Sequence, residues 1–184
     1  FWAFFAVVFA GFCLMKNKRL LRNTYLFFMS VLFYYKTSGL FVLILIFSTI
    51  FGFFVGKGLD RSQKTPYRKF LLTVGVAVNL AILCYFKYAY FFTDVYNSLF
   101  HSKIEIVNYL AKWANEWSGT NRFDAGKILL PVGISFYTFQ NISYLVDVYR
   151  RKVTSVGNIL DFGFYTSFFP QLVAGPIIRA NQFI

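Results

Sequence analysis

The run GLFVLILIFSTIFGFFVG, residues 39–56, decides the fold class because it contains no charged residue and is long enough to cross a bilayer. Inside lipid, each backbone N–H and C=O must find its partner within the protein, which a helix achieves within one segment. A transmembrane β-barrel would instead show short alternating segments. The run does not alternate, so it predicts an all-α, polytopic transmembrane helical bundle.

The composition of the whole chain agrees with this class. Hydrophobic residues make up 58% of the sequence and charged residues 14%, whereas soluble domains carry about 25% charged residues. Cys13 and Cys84 both lie in apolar runs, and we interpret them as buried packing residues without a disulfide. The cysteines and the single histidine form no metal-binding spacing, so no metal site is predicted.

The formal charge of +12 is concentrated in three clusters, residues 16–22, 57–69 and 150–152. Each cluster lies at the end of an apolar run, as cytoplasmic loops do under the positive-inside rule. No basic face exists outside the membrane segments, which argues against a nucleic-acid partner. The lipid bilayer is the predicted environment, and the three basic loops are predicted to be cytoplasmic.

The apolar runs predict a single membrane domain over residues 1–184. The chain starts and stops inside apolar sequence without a leading Met, so we expect a fragment of a longer protein. Residues 36–39 are predicted to form a turn. The predicted spans are 1–15, 24–35 (short), 39–56, 70–92 and 128–149, with a broken or re-entrant helix at 158–180 and an external segment at 93–127.

The external segment is electrically neutral and contains an amphipathic stripe at helical spacing. Two tryptophans on its apolar side favour a helix lying in the membrane interface. A helix packed on the rest of the protein is the equal alternative. The stripe consists of Ile106, Leu110, Trp113, Ala114 and Trp117.

The span 128–149 carries polar residues on one helical face, because Gln140, Tyr144, Asp147 and Arg151 follow the spacing i, i+4, i+7, i+11. Asn141 flanks that face. Polar groups in a membrane helix line a cavity or bond a neighbouring helix, and both readings stay open. For Asp147, pairing with an arginine at 150 or 151 is the favoured reading.

Further candidates lie near the end of the sequence, where Pro170, Gly175 and Pro176 interrupt apolar residues. Gln171 and Arg179 place polar groups beside this break, and a guanidinium among apolar residues needs a partner, water or an anionic ligand. His101 lies in the polar segment, where a solvated loop histidine is the favoured reading. Two weaker signals remain. Asn79 is interpreted as a polar contact between helices, and Gly52 and Gly56 form a GxxxG pair.

Two long blocks resemble signature sequences of the membrane-bound O-acyltransferase family, and more closely its bacterial alginate O-acetyltransferase branch. The first is LPVGISFYTFQNISY, residues 130–144, continuing through Asp147-Val148-Tyr149-Arg150. The second is FFPQLVAGPIIR, residues 168–179. Shorter similar blocks are RLLRN at 19–23 and NLAIL with YFKYA at 79–89.

The resemblance implies acyl transfer from a thioester donor, acetyl-CoA, to hydroxyls of an extracellular polysaccharide or cell-wall polymer. No bound cofactor is implied. The family's catalytic histidine is expected beyond Ile184, so no catalytic residue is assigned here. Gln140, Asn141, Tyr144, Gln171, Gly175, Pro176 and Arg179 are then candidates for lining the substrate passage.

The resemblance also implies a location in the bacterial inner membrane and a secreted or periplasmic acetyltransferase partner. Two other functions stay open. A transporter would also use a broken helix with polar groups at membrane depth, and a non-catalytic assembly subunit would need no site. An intramembrane histidine in the coding sequence after Ile184 would favour the transferase.

Overall fold

The computed structural model describes residues 2–15, 19–105, 107–119, 124, 126 and 131–174. Every regular element in these ranges is helical, which confirms the predicted all-α class. The elements are α1 (Trp2–Leu14), α2 (Arg19–Ser38), a 3-10 turn (Gly39–Phe41), α3 (Val42–Arg61), α4 (Thr65–Phe100), α5 (Tyr109–Ser118), α6 (Ile134–Tyr149), α7 (Ile159–Ser167) and α8 (Phe169–Ala174).

The chain divides into two compact units. The first consists of Phe1–Asn79 and Val132–Ile184, and the second of Leu80–Pro131. In the first unit, α3 packs against α6 and α7, while α2 packs against α1, α7 and α8. In the second unit, the C-terminal part of α4 is followed by α5. Asn108 caps the start of α5, and Gly119, at φ +63°, follows its end.

Two helical stretches are long and apolar enough to cross a membrane, namely Leu20–Arg61, which the 3-10 turn divides, and Thr65–Phe100. The helix α1 is also apolar but has only 13 residues. The predicted span 24–35 is part of α2, whose 20 residues give about 30 Å of helix, comparable with the hydrocarbon core. The predicted span 70–92 is part of α4, whose 36 residues extend about 54 Å.

The turn between α2 and α3 lies later than residues 36–39, so that prediction was wrong in position. Lys36, Thr37 and Ser38 are still helical, and the chain reverses from Gly39, which has φ +56°. Thr37 is tolerated in the helix, since its hydroxyl donates to the Phe33 carbonyl at 2.6 Å and so has a local partner. Only the glycine adopts the left-handed conformation that the turn requires.

An apolar cavity of about 270 Å³ shows how α2 and α3 are aligned. It is lined by Phe28 and Val31 of α2 and by Ile46 and Ile50 of α3, together with residues at the start of α7. Phe28 and Val31 lie in the middle and second half of α2, and Ile46 and Ile50 lie in the first half of α3, as expected for an antiparallel pair joined by a short turn.

The close approach of α3 and α6 in the first unit depends on two glycines. A Cβ at Gly52 would lie 2.8 Å from the Asn141 Oδ1, and one at Gly56 would lie 2.6 Å from the Tyr144 ring. Neither side chain has room to withdraw, because both Asn141 and Tyr144 are completely buried. The GxxxG pair therefore joins two helices of this chain.

The helix α6 begins at Ile134, after Pro131 and not before it as the predicted span 128–149 has it. Gly133 precedes the helix with φ +70°, a conformation that favours glycine. A side chain there would also approach the Leu172 carbonyl oxygen to 3.1 Å. Of the predicted span, residues 128–130 lie outside the described residues.

The broken helix predicted near Pro170 is present in the described residues. The helix α7 ends at Ser167, Phe168 leaves the helical conformation, and α8 starts at Phe169. Proline has no N–H and its ring collides with the carbonyl four residues earlier, so α7 cannot continue through residue 170. Re-entrance into the membrane stays a prediction, and residues 175–180 lie outside the described residues.

The predicted burial of Cys13 and Cys84 was wrong, because both side chains are exposed. An apolar run in a soluble protein indicates burial, but a membrane helix also has an apolar face toward lipid. Sequence context alone could not separate these two faces.

Substituting Gly56 tests the α3–α6 contact. Gly56→Ala is expected to destabilise the protein by about 1–3 kcal/mol, the usual cost of overpacking, because Tyr144 is held in place. Thermal unfolding in detergent, followed by circular dichroism, measures the effect. The matched control is Gly157→Ala, since a Cβ at Gly157 meets nothing within 4 Å; equal unfolding temperatures of the two variants would contradict the contact.

Candidate functional site

The structure buries all four of the predicted passage residues that it describes. Gln140, Asn141 and Tyr144 of α6 and Gln171 of α8 are each at most 5% exposed. Gly175, Pro176 and Arg179 lie outside the described residues. Burial of polar groups between apolar helices has a free-energy cost unless each group is hydrogen-bonded, so their partners determine what they do.

Ser48 is the centre of a hydrogen-bonded network between three helices. The Asn141 Nδ2 donates to the Ser48 hydroxyl at 2.7 Å and to the Ser48 carbonyl at 3.3 Å, whereas the Asn141 Oδ1 has no partner among the described residues. The Ser48 hydroxyl donates in turn to Asn79 Oδ1 at 3.1 Å, and the Asn79 amide donates to the Gly75 carbonyl at 2.8 Å. This arrangement connects α3, α4 and α6, and it gives Asn79 the interhelical role expected from its sequence position.

Tyr144 has a packing role. Its ring lies 4.6 Å from the ring of Phe162, measured between centroids, and its hydroxyl accepts a hydrogen bond from the Val156 N–H at 3.2 Å. It belongs to an apolar core with Leu59, Leu145 and Phe162. The hydrogen bond of the Tyr144 hydroxyl thus attaches the loop after α6 to α6 itself.

Gln140 differs from its neighbours because neither atom of its side-chain amide has a hydrogen-bond partner among the described residues. The side chain is only 1% exposed. An amide buried without partners costs roughly 1–3 kcal/mol. Such a group is expected where water or a substrate supplies the missing hydrogen bonds.

Three further buried polar side chains lie together, and the sequence analysis did not select them. The hydroxyls of Tyr34, Ser38 and Tyr137 make no hydrogen bond of good geometry, but the Tyr34 hydroxyl interacts with both of the others. The rings of Tyr34 and Tyr137 meet edge to face, with centroids 6.5 Å apart. Tyr137 precedes Gln140 by three positions and Ser38 follows Tyr34 by four, so helical spacing was the signal that could have found them.

By contrast, hydrogen bonds connect the C-terminal ends of α3 and α6 and the N-terminal end of α4 with their surroundings. Arg68 is 6% exposed, and its Nη2 donates to the carbonyls of Val148 at 3.2 Å and Tyr149 at 2.6 Å. These are C-terminal carbonyls of α6, where a positive charge is favourable. The sequence analysis counted Arg68 as one of a group of loop charges, because nothing in the sequence shows that α6 ends beside it.

Two more contacts hold the same region. Asp60 Oδ2 accepts hydrogen bonds from the Ser155 N–H at 3.0 Å and the Ser155 hydroxyl at 2.7 Å. Arg151 donates to the Gln63 side-chain oxygen at 2.8 Å. The guanidinium of Arg151 therefore turns to the loop after α3, whereas the sequence favoured its pairing, or that of Arg150, with Asp147.

His101 is exposed and follows the last residue of α4, with φ +50°. Over the described ranges, no group of three or more His, Cys, Asp or Glu side chains could hold a metal ion. The buried polar groups of α2 and α6 are thus the candidate site in this part of the chain.

Helical architecture, two stretches able to cross a membrane and polar groups buried between apolar helices define an α-helical membrane protein.

Comparison of the sequence with known proteins identifies relatives of this chain. The chain is 34% identical over 181 residues to the Pseudomonas aeruginosa protein named "Probable alginate O-acetylase AlgI", covering 98% of this chain and 32% of that protein. It is 36% identical over 146 residues to the Azotobacter vinelandii protein of the same name, covering 79% of this chain and 26% of the relative. The Helicobacter pylori "Peptidoglycan O-acetyltransferase" is 27% identical over 208 residues, covering 98% and 36%.

The chain is therefore a homologue of one part of these O-acetylases, and the resemblance found in the sequence is confirmed. It spans about a third of the length of the relatives it matches. No family model and no solved structure matches the chain.

Adjacent residues of α6 are expected to respond differently to the same substitution. Asn141→Leu should destabilise the protein by about 1–2 kcal/mol, because it removes the hydrogen bonds to Ser48. Gln140→Leu should change stability by less than about 0.5 kcal/mol or increase it, because it removes an amide without protein partners. Unfolding in a denaturing detergent series measures both, and equal losses would contradict the assignment.

The buried guanidinium offers a second comparison. Arg68→Met is expected to cost roughly 1.5–3 kcal/mol, the value of hydrogen bonds to a charged group, since the α6 carbonyls lose their donor. Lys69→Met, at the exposed next position, is the control and should change stability by less than about 0.5 kcal/mol. Thermal unfolding in detergent distinguishes them.

Proposed function

We propose that the chain forms part of a membrane-bound O-acyltransferase. In this proposal, the enzyme moves an acetyl group from acetyl-CoA to hydroxyls of an extracellular polysaccharide or cell-wall polymer. The observation that carries the proposal is the similarity to proteins named for O-acetylation of two different polymers, alginate and peptidoglycan. The shared part of those names is the reaction, so the proposal specifies the reaction and leaves the polymer open.

The reaction requires three atoms to be brought together. The acceptor hydroxyl oxygen attacks the thioester carbonyl carbon, a general base takes the hydroxyl proton, and the carbon–sulfur bond breaks to release the CoA thiolate. We assign no general base to the described residues, because His101 is exposed at the end of α4. The resemblance assigns that role to a histidine in a later segment.

The role we assign to this chain is to bind and guide a substrate. Gln140 offers an amide donor and acceptor without a protein partner in the described structure, and Tyr34, Ser38 and Tyr137 offer a cluster of buried hydroxyls that interact with one another. Hydroxyl and ester oxygens are the complementary chemistry. These groups therefore support a passage for a hydroxyl-bearing acceptor between α2 and α6, and we include Gln171, Gly175, Pro176 and Arg179 in it as further lining residues.

We propose that the protein crosses the bacterial inner membrane several times, with the basic segments 16–22, 57–69 and 150–152, which include helix ends, in the cytoplasm. The positive charge of all three segments supports this orientation. It places the turn at Gly39 and the start of α6 on the outer side. Tyr34, Ser38 and Tyr137 then lie in the outer half, toward an external polymer. A secreted or periplasmic acetyltransferase is the proposed partner there.

Gln140→Leu in the complete enzyme tests the proposal. We expect transfer of labelled acetyl from acetyl-CoA to the polymer to fall about tenfold, the equivalent of one lost hydrogen bond of roughly 1.4 kcal/mol. Membrane insertion and stability should be unchanged. Phe139→Leu is the control, because Phe139 is the preceding residue of α6 and is 46% exposed.

Membranes containing each variant, assayed with radiolabelled donor and purified polymer, give the measurement. Normal acetylation by Gln140→Leu would remove Gln140 from the passage. Absence of acetyl transfer by the unmodified enzyme, with any polymer hydroxyl as acceptor, would overturn the proposed reaction.

A further inference from the structure

We infer that α5 is an anchor in the outer membrane interface, held by a stripe of Tyr109, Trp113 and Trp117 inserted among phospholipid headgroups. The inference rests on the orientation proposed above. It chooses between the two readings that the sequence left open, a helix in the interface plane and a helix packed on the protein.

The stripe occupies one side of α5, because its residues are spaced i, i+4, i+8. All three side chains are exposed, Trp113 by 55% and Trp117 by 83%. The two indole rings stack with centroids 6.3 Å apart and planes inclined by 8°. The opposite side of the helix is the packed one, with Ala111 and Ala114 buried. The aromatic side is thus turned away from the described part of its own unit.

Hydrogen bonds fix where α5 begins along α4. The Tyr85 hydroxyl donates to the Val107 carbonyl at 3.0 Å and lies 3.5 Å from the Tyr109 N–H. Farther out, the Asn97 amide donates to the Ile104 carbonyl at 3.1 Å and accepts from the Ile104 N–H at 3.0 Å. Tyr85 and Asn97 are separated by about 18 Å along the helix, so the chain doubles back before α5 starts.

The start of α5 lies level with the aromatic belt of α4. Residues 85–92 contain six aromatic side chains around Lys87, and Lys87 Nζ lies 5.4 Å from the Tyr88 ring centroid. Tyrosine at such a belt, with a lysine beside it, is typical of the membrane–water interface. The start of α5 therefore lies at the depth where tryptophan and tyrosine are most favourable.

The charges of α5 indicate which lipids it needs. Lys112 and Glu116 form a second exposed edge beside the aromatic stripe, and their charges cancel. A basic interfacial helix gains affinity from anionic lipid. A helix without net charge is expected to insert equally well into neutral phosphatidylcholine.

Tryptophan fluorescence tests the depth directly, since the chain has three tryptophans. Trp2→Phe leaves only those of α5. The complete protein carrying this variant, with any tryptophan elsewhere also replaced by Phe, is reconstituted into phosphatidylcholine vesicles whose acyl chains are brominated near the headgroup or near the chain end. We expect at least about twofold stronger quenching by the shallow bromines, because interfacial helices insert their apolar face about 5–10 Å deep.

Adding phosphatidylglycerol, or the paired variant Lys112→Gln with Glu116→Gln, should leave the quenching unchanged. Quenching by aqueous acrylamide without quenching by bromines would overturn the inference and indicate a face for water or a protein partner. Stronger quenching by the deep bromines, or a requirement for anionic lipid, would also overturn it. None of these measurements uses acetyl transfer, so an inactive enzyme could still show shallow quenching.

Discussion

The close contact of α3 with α6 is the constraint on which the first unit depends. Helices in a bilayer gain little from apolar association, because lipid is as apolar as their side chains. Gly52 and Gly56 remove the Cβ atoms that would separate the helices, so the Asn141 amide reaches Ser48 and the Tyr144 ring enters the core. Packing and hydrogen bonding at this contact thus require each other.

The contact of α3 with α6 also gives the polar residues of α6 different environments. Gln140 and Asn141 are adjacent, yet successive helix positions point about 100° apart. Asn141 faces α3 and is hydrogen-bonded there, whereas the Gln140 amide has no partner in the described structure. The same amide chemistry therefore joins two helices at one position and is buried without a protein partner at the next. A count of polar residues in a membrane helix would not separate these roles.

The sequence predicted the helical class and the polar face of α6, because apolar run length and helical period are local properties. It could not predict features that depend on which helices are neighbours. The sequence indicates a loop charge at Arg68, but Arg68 caps α6. It indicates core residues at Cys13 and Cys84, but both are exposed. The turn after α2 was misplaced because Thr37 is compatible with helix when its hydroxyl bonds back to Phe33. Tyr34 and Ser38 were missed because their partner helix, α6, is a hundred residues away.

The first unit is asymmetric along its helices, and the asymmetry fits the proposed orientation. At the basic end, Tyr144, Arg68, Asp60 and Arg151 each have a hydrogen-bond partner that fixes a loop or a helix end, although Arg68 Nε itself has none. Toward the other end, the Gln140 amide has no partner in the described residues, and the hydroxyls of Tyr34, Ser38 and Tyr137 interact with one another. In the proposed function, acetyl-CoA reaches the site from the inner side and the polymer acceptor from the outer side. The buried amide and hydroxyl groups toward the outer side would then hydrogen-bond the hydroxyls of the acceptor in place of water.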